Sequence, residues 1–355
     1  MSLTIQKLND DTTFLLTLPA NPPYHILLDP WLTGSSTLLH PSFQTARHTL
    51  PSVVPTILSL PKHPDLILIS QSQPDHCHRE TLCALPSRPQ HTRILAVPAA
   101  AKKIKRWGHF EEGVVGVLHR FDEKKREIAR VSVPGGGEVE IAYLETGWKG
   151  GDLAGLFAAL AITYRAAAAG GEEADEMPIS DAEKIAIPLL LPPDVEEDDG
   201  FHRPCIYASP LRSTPALRHD SKFDDTDLDV LSILYAPHGI GLPSLQTYLD
   251  NHLWPTGTSR LTLLLHSLHR ATNPRLLGGV CAAGAPGGIP LARALRAKYW
   301  VPAHDGGKDM SGLAVRWLRR RQWDLEEVEG EVRDSGTRVK ALQIGEMWKM
   351  GDFGG

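Results

Sequence analysis

The amino-acid sequence predicts an α/β fold from the order of its apolar segments. Short, β-branched runs with the length of buried strands alternate with segments of helical pattern in both halves of the chain. A chain of 355 residues can bury a large core, and its 42% hydrophobic and 22% charged residues are ordinary values for a globular protein. We therefore expect a single domain over residues 1–355.

The amino-acid composition argues against some classes of binding partner. The net charge of −5 argues against a general nucleic-acid-binding protein, which usually carries a basic face. No apolar run approaches the roughly 20 residues of a membrane-spanning helix, and the first residues lack the basic and apolar regions of a signal peptide. The four cysteines form no Cys-x-x-Cys pair, which is typical of reduced thiols in a cytoplasmic protein. We expect a small-molecule substrate as the partner, with no nucleic acid and no membrane; nothing in the sequence marks an oligomeric state.

The first half is predicted to begin with three strands. Leu3–Lys7 and Thr13–Leu18 flank a turn rich in Asn and Asp and form a predicted hairpin. A third strand begins at Tyr24 and runs into a Pro/Gly turn that ends at Gly34. The next segment, Thr37–Pro61, is rich in proline and has no clear period, so we expect a long, partly ordered loop.

One short stretch carries the densest group of chemically active side chains. Leu66–Ile69 has the length and branching of a buried strand, a polar loop follows from Ser70 to His78, and Arg79–Leu85 has a helical pattern. Side chains at the carboxyl end of a buried strand, just before a helix, are where open α/β folds place their chemistry. We expect the functional site in this segment, which we name the motif loop.

The rest of the first half is predicted to be mostly strand. Pro98 starts a helix that runs to Trp107, with proline in the first turn, where its missing N–H costs nothing. Gly135-Gly136-Gly137 is interpreted as a hairpin turn, because a phosphate-binding loop would continue into Gly-Lys-Ser/Thr and a helix. The predicted strands are Thr92–Val97, Val114–Phe121, Ile128–Val133, Val139–Leu144 and Leu156–Tyr164.

An acidic insertion is predicted over residues 166–203. Eleven acidic residues and one lysine lie between Glu172 and Asp199, a composition typical of a solvated loop. The apolar segment Ile185–Leu191 inside it leaves open a second interpretation, a lid that docks on the protein.

The second half continues with strands and helices in alternation. The basic run Arg319-Arg320-Arg321 is predicted to lie on the last helix, at a solvated end where cations favour the helix dipole. Predicted strands are Pro204–Leu211, Leu228–Tyr235, Arg260–Leu268, Leu276–Val280, Tyr299–Val301 and Val339–Met347, and predicted helices are Ile289–Ala297 and Leu313–Trp323.

The motif loop resembles the metal-binding signature of the metallo-β-lactamase fold superfamily, His-x-His-x-Asp-His after an apolar strand. Gln71 and Gln73 stand at the first two histidine positions. Asp75 and His76 stand at the positions of the aspartate and the last histidine. The segments LLDPWLTG, at 27–34, and VPAHDGGK, at 301–308, are also similar to the superfamily. The resemblance implies a four-layered αβ/βα sandwich in which two similar sheets are flanked by helices.

In that superfamily two metal ions share the site, and the resemblance implies that one of them is kept here. Asp75, His76 and His304 would hold it through a carboxylate oxygen and two imidazoles, with an open position for water. Such a donor set suits zinc, and also iron or manganese. The other metal site would bind an ion only weakly, since Gln71 and Gln73 offer only weakly basic amide oxygens. The site therefore holds one divalent metal, or none.

Four further residues near these segments have open interpretations. Asp29 either orients a metal-ligating histidine through its free ring N–H or caps a turn. His238 is a displaced ligand, a general acid/base or a hydrogen-bonded loop histidine. His78 is expected to cap the helix that follows the motif loop or to make a surface hydrogen bond, and not to ligate a metal. Cys77 is expected to be a small buried filler and not a ligand or nucleophile.

Three functions are compatible with these residues. The first is a hydrolase that uses one metal ion to activate water against an ester, lactone, amide or phosphodiester. The second is a metal-independent acid/base enzyme, such as a lyase, isomerase or cyclase, in which Asp75, His76, His238 and His304 act beside the neutral pocket of Gln71 and Gln73. The predicted catalytic residues of an enzyme are Asp75, His238, Gln71 and Gln73, with the two glutamines as hydrogen-bond partners of the substrate or of metal-bound water. The third is a non-catalytic binding protein on the same fold, with the acidic insertion as its partner surface.

Overall fold

Two seven-stranded sheets form the framework of the protein. The computed structural model describes residues 2–122, 124–125, 127–146, 155–167, 230–275 and 279–350. These residues belong to one structural unit, formed by Met1–Ala167 and Thr226–Gly355. The acidic insertion lies almost wholly outside the described residues, as does the predicted strand Pro204–Leu211.

The elements are numbered in chain order. The strands are β1 Thr4–Lys7, β2 Phe14–Leu18, β3 Tyr24–Leu28, β4 Ser36–Leu38, β5 Gln44–His48, β6 Leu66–Ile69, β7 Arg93–Ala96, β8 Val115–Val117, β9 Ala129–Ser132, β10 Glu138–Glu145, β11 Ala158–Arg165, β12 Val230–Ala236, β13 Leu263–His266, β14 Arg270–Thr272, β15 Val280–Ala282, β16 Tyr299–Pro302, β17 Lys308–Ser311, β18 Arg319–Arg321, β19 Arg338–Val339 and β20 Met347–Lys349. The helices are α1 Arg79–Leu82, α2 Pro98–Arg106, α3 Leu242–Tyr248, α4 Ala285–Ala294 and α5 Leu325–Val332. None of the described helices is long and apolar enough to cross a membrane.

The first sheet has the strand order β20-β1-β2-β3-β6-β7-β8. The predicted hairpin is confirmed, since β1 and β2 pair antiparallel across the Asn/Asp turn. Strand β6, which leads into the motif loop, pairs parallel with β3 on one side and β7 on the other. This central position explains its unbroken apolar sequence, because a strand covered on both faces needs no polar side chain.

The second sheet has the strand order β19-β16-β13-β12-β11-β10-β9. Strands β9 to β12 pair antiparallel, and the glycine run at 135–137 makes the predicted hairpin turn between β9 and β10. Strands β12, β13, β16 and β19 are parallel. Two three-stranded sheets, β15-β14-β18 and β17-β5-β4, complete the described fold.

The core is divided by the alternation of side chains along the second sheet. Leu263 and Leu265 of β13 belong to a cluster that also contains Leu68 of the first sheet, so the two sheets share one core. Leu264, on the opposite face, packs in a second cluster with Leu291 of α4. Because successive side chains point to opposite faces, a continuous apolar run supplies both cores. The fold is mixed α/β, as predicted; the four-layer arrangement stays a prediction.

Three predicted elements are wrong. Leu313–Trp323 is not a helix: only Leu313–Val315 forms a 3-10 turn, and the arginine run is strand β18, paired with β14. Thr37–Pro61 contains strands β4 and β5, and β5 pairs with the distant β17. Val339–Met347 is not one strand, because β19 pairs with β16 in one sheet and β20 with β1 in the other. In each case pairing with a distant strand overrides the local pattern.

Candidate metal centre

Three histidines meet at the carboxyl ends of parallel strands. His76 lies in the motif loop after β6, His238 two residues after β12, and His304 two residues after β16. Their nitrogen atoms that could ligate an ion all lie within 4.8 Å of one another. Both sheets therefore contribute to one cluster, at the edge where parallel strands deliver functional side chains. We name His76, His238 and His304 the histidine cluster.

His76 is oriented by Asp29. The His76 Nδ1 and Asp29 Oδ2 atoms are 2.7 Å apart, and both side chains are fully buried. Asp29 also accepts hydrogen bonds from the Ser70 N–H, at 2.7 Å, and the Tyr235 hydroxyl, at 2.7 Å. Burial lowers the pKa of His76, but the charges of Asp75 and Asp29 outweigh it, so that the pKa is raised. The contact expected of Asp29 with a histidine ring is present, since its carboxylate fixes the His76 ring and leaves Nε2 toward the cluster. Ligation of a metal by His76 stays a prediction.

His238 is held by a backbone carbonyl. Its Nδ1–H donates to the Cys281 oxygen over 2.6 Å, which leaves Nε2 unprotonated in the neutral ring. That Nε2 lies 2.9 Å from the Nε2 of His76. Burial, together with the nearby His304 and His76, lowers the pKa of His238 well below its ordinary value. The ring is thus a neutral imidazole whose lone pair faces its neighbour.

His304 is held by an ion pair that the sequence did not reveal. Its Nδ1 lies 3.1 Å from an oxygen of Asp11, and Lys308 donates to both oxygens of the same carboxylate at 3.0 and 2.8 Å. Burial lowers the pKa of His304, and the charge of Lys308 acts in the same direction, while Asp11 opposes them. The only signals in the sequence were the lysine four residues after His304 and the aspartate in the first turn.

Asp75 stands beside the cluster and is half-buried. Within the described residues, the group whose ligand atoms come within 4.8 Å of one another consists of three histidines and does not include this carboxylate. Asp75 lines the same cavity as His238 and His304. Burial raises the pKa of Asp75, but His76, His304 and Lys308 outweigh it and hold the pKa at about 2. The carboxylate is therefore charged at neutral pH.

The two glutamines of the motif loop are placed differently. Gln71 is buried, and its amide nitrogen donates to the Leu156 oxygen over 2.9 Å. Its buried Oε1 has no hydrogen-bond partner among the described residues. Gln73 is among the residues that line the cavity, and its backbone carbonyl accepts the N–H groups of His76 and Cys77.

The expectations for His78 and Cys77 are confirmed. His78 is the N-cap of α1, and its Nδ1 accepts the Thr81 N–H at 3.3 Å. Cys77 has 1% of its surface exposed and packs in the core, where burial raises its pKa to about 12. Neither side chain offers a donor to the histidine cluster.

A cavity of about 320 Å³ opens on the cluster. Asp75, His238 and His304 give it a polar region, and much of the remaining surface is apolar. A cavity of this size fits a small organic molecule.

No protein-family model and no curated protein sequence matches the chain. Among solved structures, the chain is similar to Igni18, described as a novel metallo hydrolase from the archaeon Ignicoccus hospitalis, with 11% identity, 99% of both chains covered and a TM-score of 0.46. It is also similar to a mutant of CmlA β-hydroxylase, with 12% identity and a TM-score of 0.50. That match covers 98% of this chain and 54% of the CmlA chain, so the chain spans about half of that protein. At such identities the likeness is one of fold.

Proposed function

From the metallo-β-lactamase fold of this chain and its largely buried histidine cluster, we propose that the protein is a hydrolase that uses one divalent metal ion against an ester, lactone, amide or phosphodiester. The observation that carries the proposal is the meeting of three imidazoles from two sheets within 4.8 Å. The cavity beside them gives a small substrate access to the same point.

The donor set fits a metal ion. The Nδ1 atom of each ring is already within hydrogen-bonding reach of an oxygen: Asp29 for His76, the Cys281 carbonyl for His238, and Asp11 for His304. Proteins orient metal-ligating histidines through such partners of the second ring nitrogen. Three imidazoles with an open position suit zinc, and a neighbouring carboxylate also admits iron or manganese. We assign the ion to His76, His238 and His304, with Asp75 beside it.

When bound, the ion supplies Lewis acidity, which polarises a carbonyl or phosphoryl group and makes water acidic enough to react near neutral pH. Asp75 is charged at neutral pH and faces the cavity, so its carboxylate can orient the attacking water and accept its proton. Gln73, also in the lining, can donate an amide N–H to a substrate oxygen. The apolar wall limits competing water.

The glutamines favour one ion over two. Amide oxygens are neutral and weakly basic compared with imidazole, so Gln71 and Gln73 are poorer ligands than the histidines whose positions they take. A second ion at that position would have no imidazole from the motif loop.

A second candidate function is a metal-independent acid/base enzyme, and one contact favours it. His76 and His238 face each other through Nε2 atoms 2.9 Å apart, and their surroundings move the two pKa values in opposite directions. Pairs of titratable groups whose pKa values are pushed apart serve as acid and base. In this alternative His76 donates a proton and His238 accepts one.

The test is metal content by elemental mass spectrometry on untagged protein purified without chelators. We expect about one zinc, iron or manganese ion per chain, lost in His304→Ala and His238→Ala. His109→Ala is the matched control, since among the described residues the His109 ring bonds to the Leu85 carbonyl and contacts Phe110, both outside the histidine cluster. Absence of metal after soaking with each ion would overturn the hydrolase. Full turnover after exhaustive chelation would favour the acid/base enzyme.

A further inference from the structure

The cavity beside the histidine cluster has an apolar wall. This wall is formed by strands β4 and β5, the loop between them, strand β17 and the residues before β18. Several of its side chains come from segments whose fold the sequence did not predict. The apolar lining residues that these elements contribute are Leu38, Phe43, Met310, Ala314, Val315 and Leu318.

Two arginines belong to the lining of this cavity, Arg270 and Arg320. Arg270 pairs with Arg321, on the face of the small sheet opposite to Arg320. Arg320 is the middle residue of β18 and is paired with Ala271 of β14, and both residues belong to the lining. The Arg320 Nη2 atom contacts the Met310 sulfur. Its charge also lowers the pKa of His269, after the larger effect of burial. Met310 and His269 both line the cavity, so the guanidinium lies at its wall.

The neighbouring arginines point elsewhere. Side chains alternate along a strand, so Arg319 and Arg321 lie on the face opposite to Arg320. Consistent with this, the Arg321 guanidinium lies 4.4 Å from the Trp323 ring centroid. Neither Arg319 nor Arg321 is among the lining residues. The arginine run thus contains one residue of the cavity and a matched control on each side.

Arg320 has no carboxylate partner in the part of the chain that the structure describes. Of the other cations in the lining, Lys308 is committed to Asp11, and Arg270 lies on the opposite face of the small sheet. Of the lining carboxylates, Asp75 stands with the histidines, and Asp305 accepts the N–H groups of Leu268 and His269. A thioether is only a weak acceptor, so the Arg320 guanidinium remains available to a ligand.

We propose that the substrate is an amphipathic anion: an apolar body that lies on the cavity wall, with a carboxylate or phosphate that binds Arg320. The inference rests on the proposed function for the position of the reacting bond, which would lie at the histidine cluster. Arginine suits this task because its planar fork pairs with both oxygens of such a group. Arg320 is a substrate-binding residue here, and the apolar wall selects the length of the body.

The test is equilibrium binding by isothermal titration calorimetry on the full chain. Three probes share one apolar body: 6-phenylhexanoate, 6-phenylhexyl phosphate and the neutral 6-phenylhexanamide. We expect at least one anion to bind about tenfold or more tightly than the amide, since a charge-assisted hydrogen bond contributes at this level. Comparison of the two anions distinguishes carboxylate from phosphate recognition.

Two variants make the test specific. Arg320→Gln should weaken the preferred anion about tenfold or more and leave the amide unchanged, whereas Arg319→Gln should change neither. Equal binding of the three probes, equal effects of the two variants, or no binding by any probe would overturn the inference. The measurement needs no turnover, so a failed hydrolase assay leaves it intact. If the protein contains the metal ion but does not prefer the anionic probes, the proposal of an anionic substrate is refuted and the proposed hydrolase is not.

Discussion

The Nε2 atoms of His76 and His238 lie 2.9 Å apart, although the residues are separated by 162 positions in the chain and belong to different sheets. The His76 ring is fixed from behind by a buried carboxylate and the His238 ring by a backbone carbonyl. Neither ring can rotate away without losing that partner. The pair is held ready for a proton or a cation between the two nitrogens.

Asp29→Asn should weaken metal binding by about 10–100-fold, because an amide oxygen accepts the hydrogen bond of the His76 Nδ1–H more weakly than a carboxylate does. Metal affinity measured by competition with a chromogenic chelator checks this. Tyr235→Phe is the control: it removes one donor to Asp29 and leaves the bond to His76 in place. An equal loss in the two variants would contradict a specific role for the carboxylate.

Lys308→Met should destabilise the protein by about 3–5 kcal/mol, because it leaves the fully buried carboxylate of Asp11 without its cation. Urea denaturation monitored by tryptophan fluorescence measures the change. The double variant Asp11→Asn with Lys308→Met should recover part of the loss, since no buried charge then stands unpaired. If the double variant were as unstable as the sum of the single ones, the pair would not be coupled.

The Glu140 carboxylate should make the stability of the folded protein depend on pH in the acid range. Its pKa is lowered from 4.5 to about 2, first by the hydrogen bond from His252 and then by that from Arg130, against burial. A carboxylate with a lower pKa in the folded state stabilises the protein above its unfolded pKa and loses that contribution as pH falls toward the folded pKa. The stability difference between wild type and Glu140→Gln should therefore be full above about pH 4.5 and disappear near pH 2.

The measurement for Glu140 is the urea midpoint at several pH values. Glu138→Gln, which changes a partly exposed glutamate on the same strand, is the matched control and should show little difference at any pH. A stability difference for Glu140→Gln that persists unchanged at about pH 2 would rule out the ionic contribution.

Gly288→Ala should destabilise the protein by about 1–3 kcal/mol, because a Cβ there would lie 2.3 Å from the Trp300 ring inside the second core. Gly330→Ala, in helix α5 with no atom within 4 Å of its added Cβ, should instead stabilise by about 0.5–1 kcal/mol. The unfolding temperatures of the two variants, compared with that of the wild type, measure both changes in stability. Shifts of the same sign would show that the packing around Trp300 adapts.

The elements that depend on local pattern were predictable from the sequence. The first hairpin, the strand before the motif loop and the cap made by His78 all follow from residue types at neighbouring positions. The helix predicted over the arginine run was wrong. A segment rich in Leu and Arg has good helix propensity, but pairing with β14 decides its actual conformation. Within the histidine cluster, His238 was left with three interpretations, since nothing near residue 238 records that His76 faces it. The contact of His304 with Asp11 was missed for the same reason, because it joins the last third of the chain to its first turn.

The histidine cluster takes one ring from the first sheet and two from the second. Its assembly is therefore an event of high contact order, which requires loop closure over most of the chain and follows formation of the local hairpins. A nascent or half-folded chain would present single imidazoles, whose affinity for an ion is far below that of the joined set. Metal capture would then report the docking of the two sheets, and in stopped-flow refolding it should lag behind the appearance of either sheet alone.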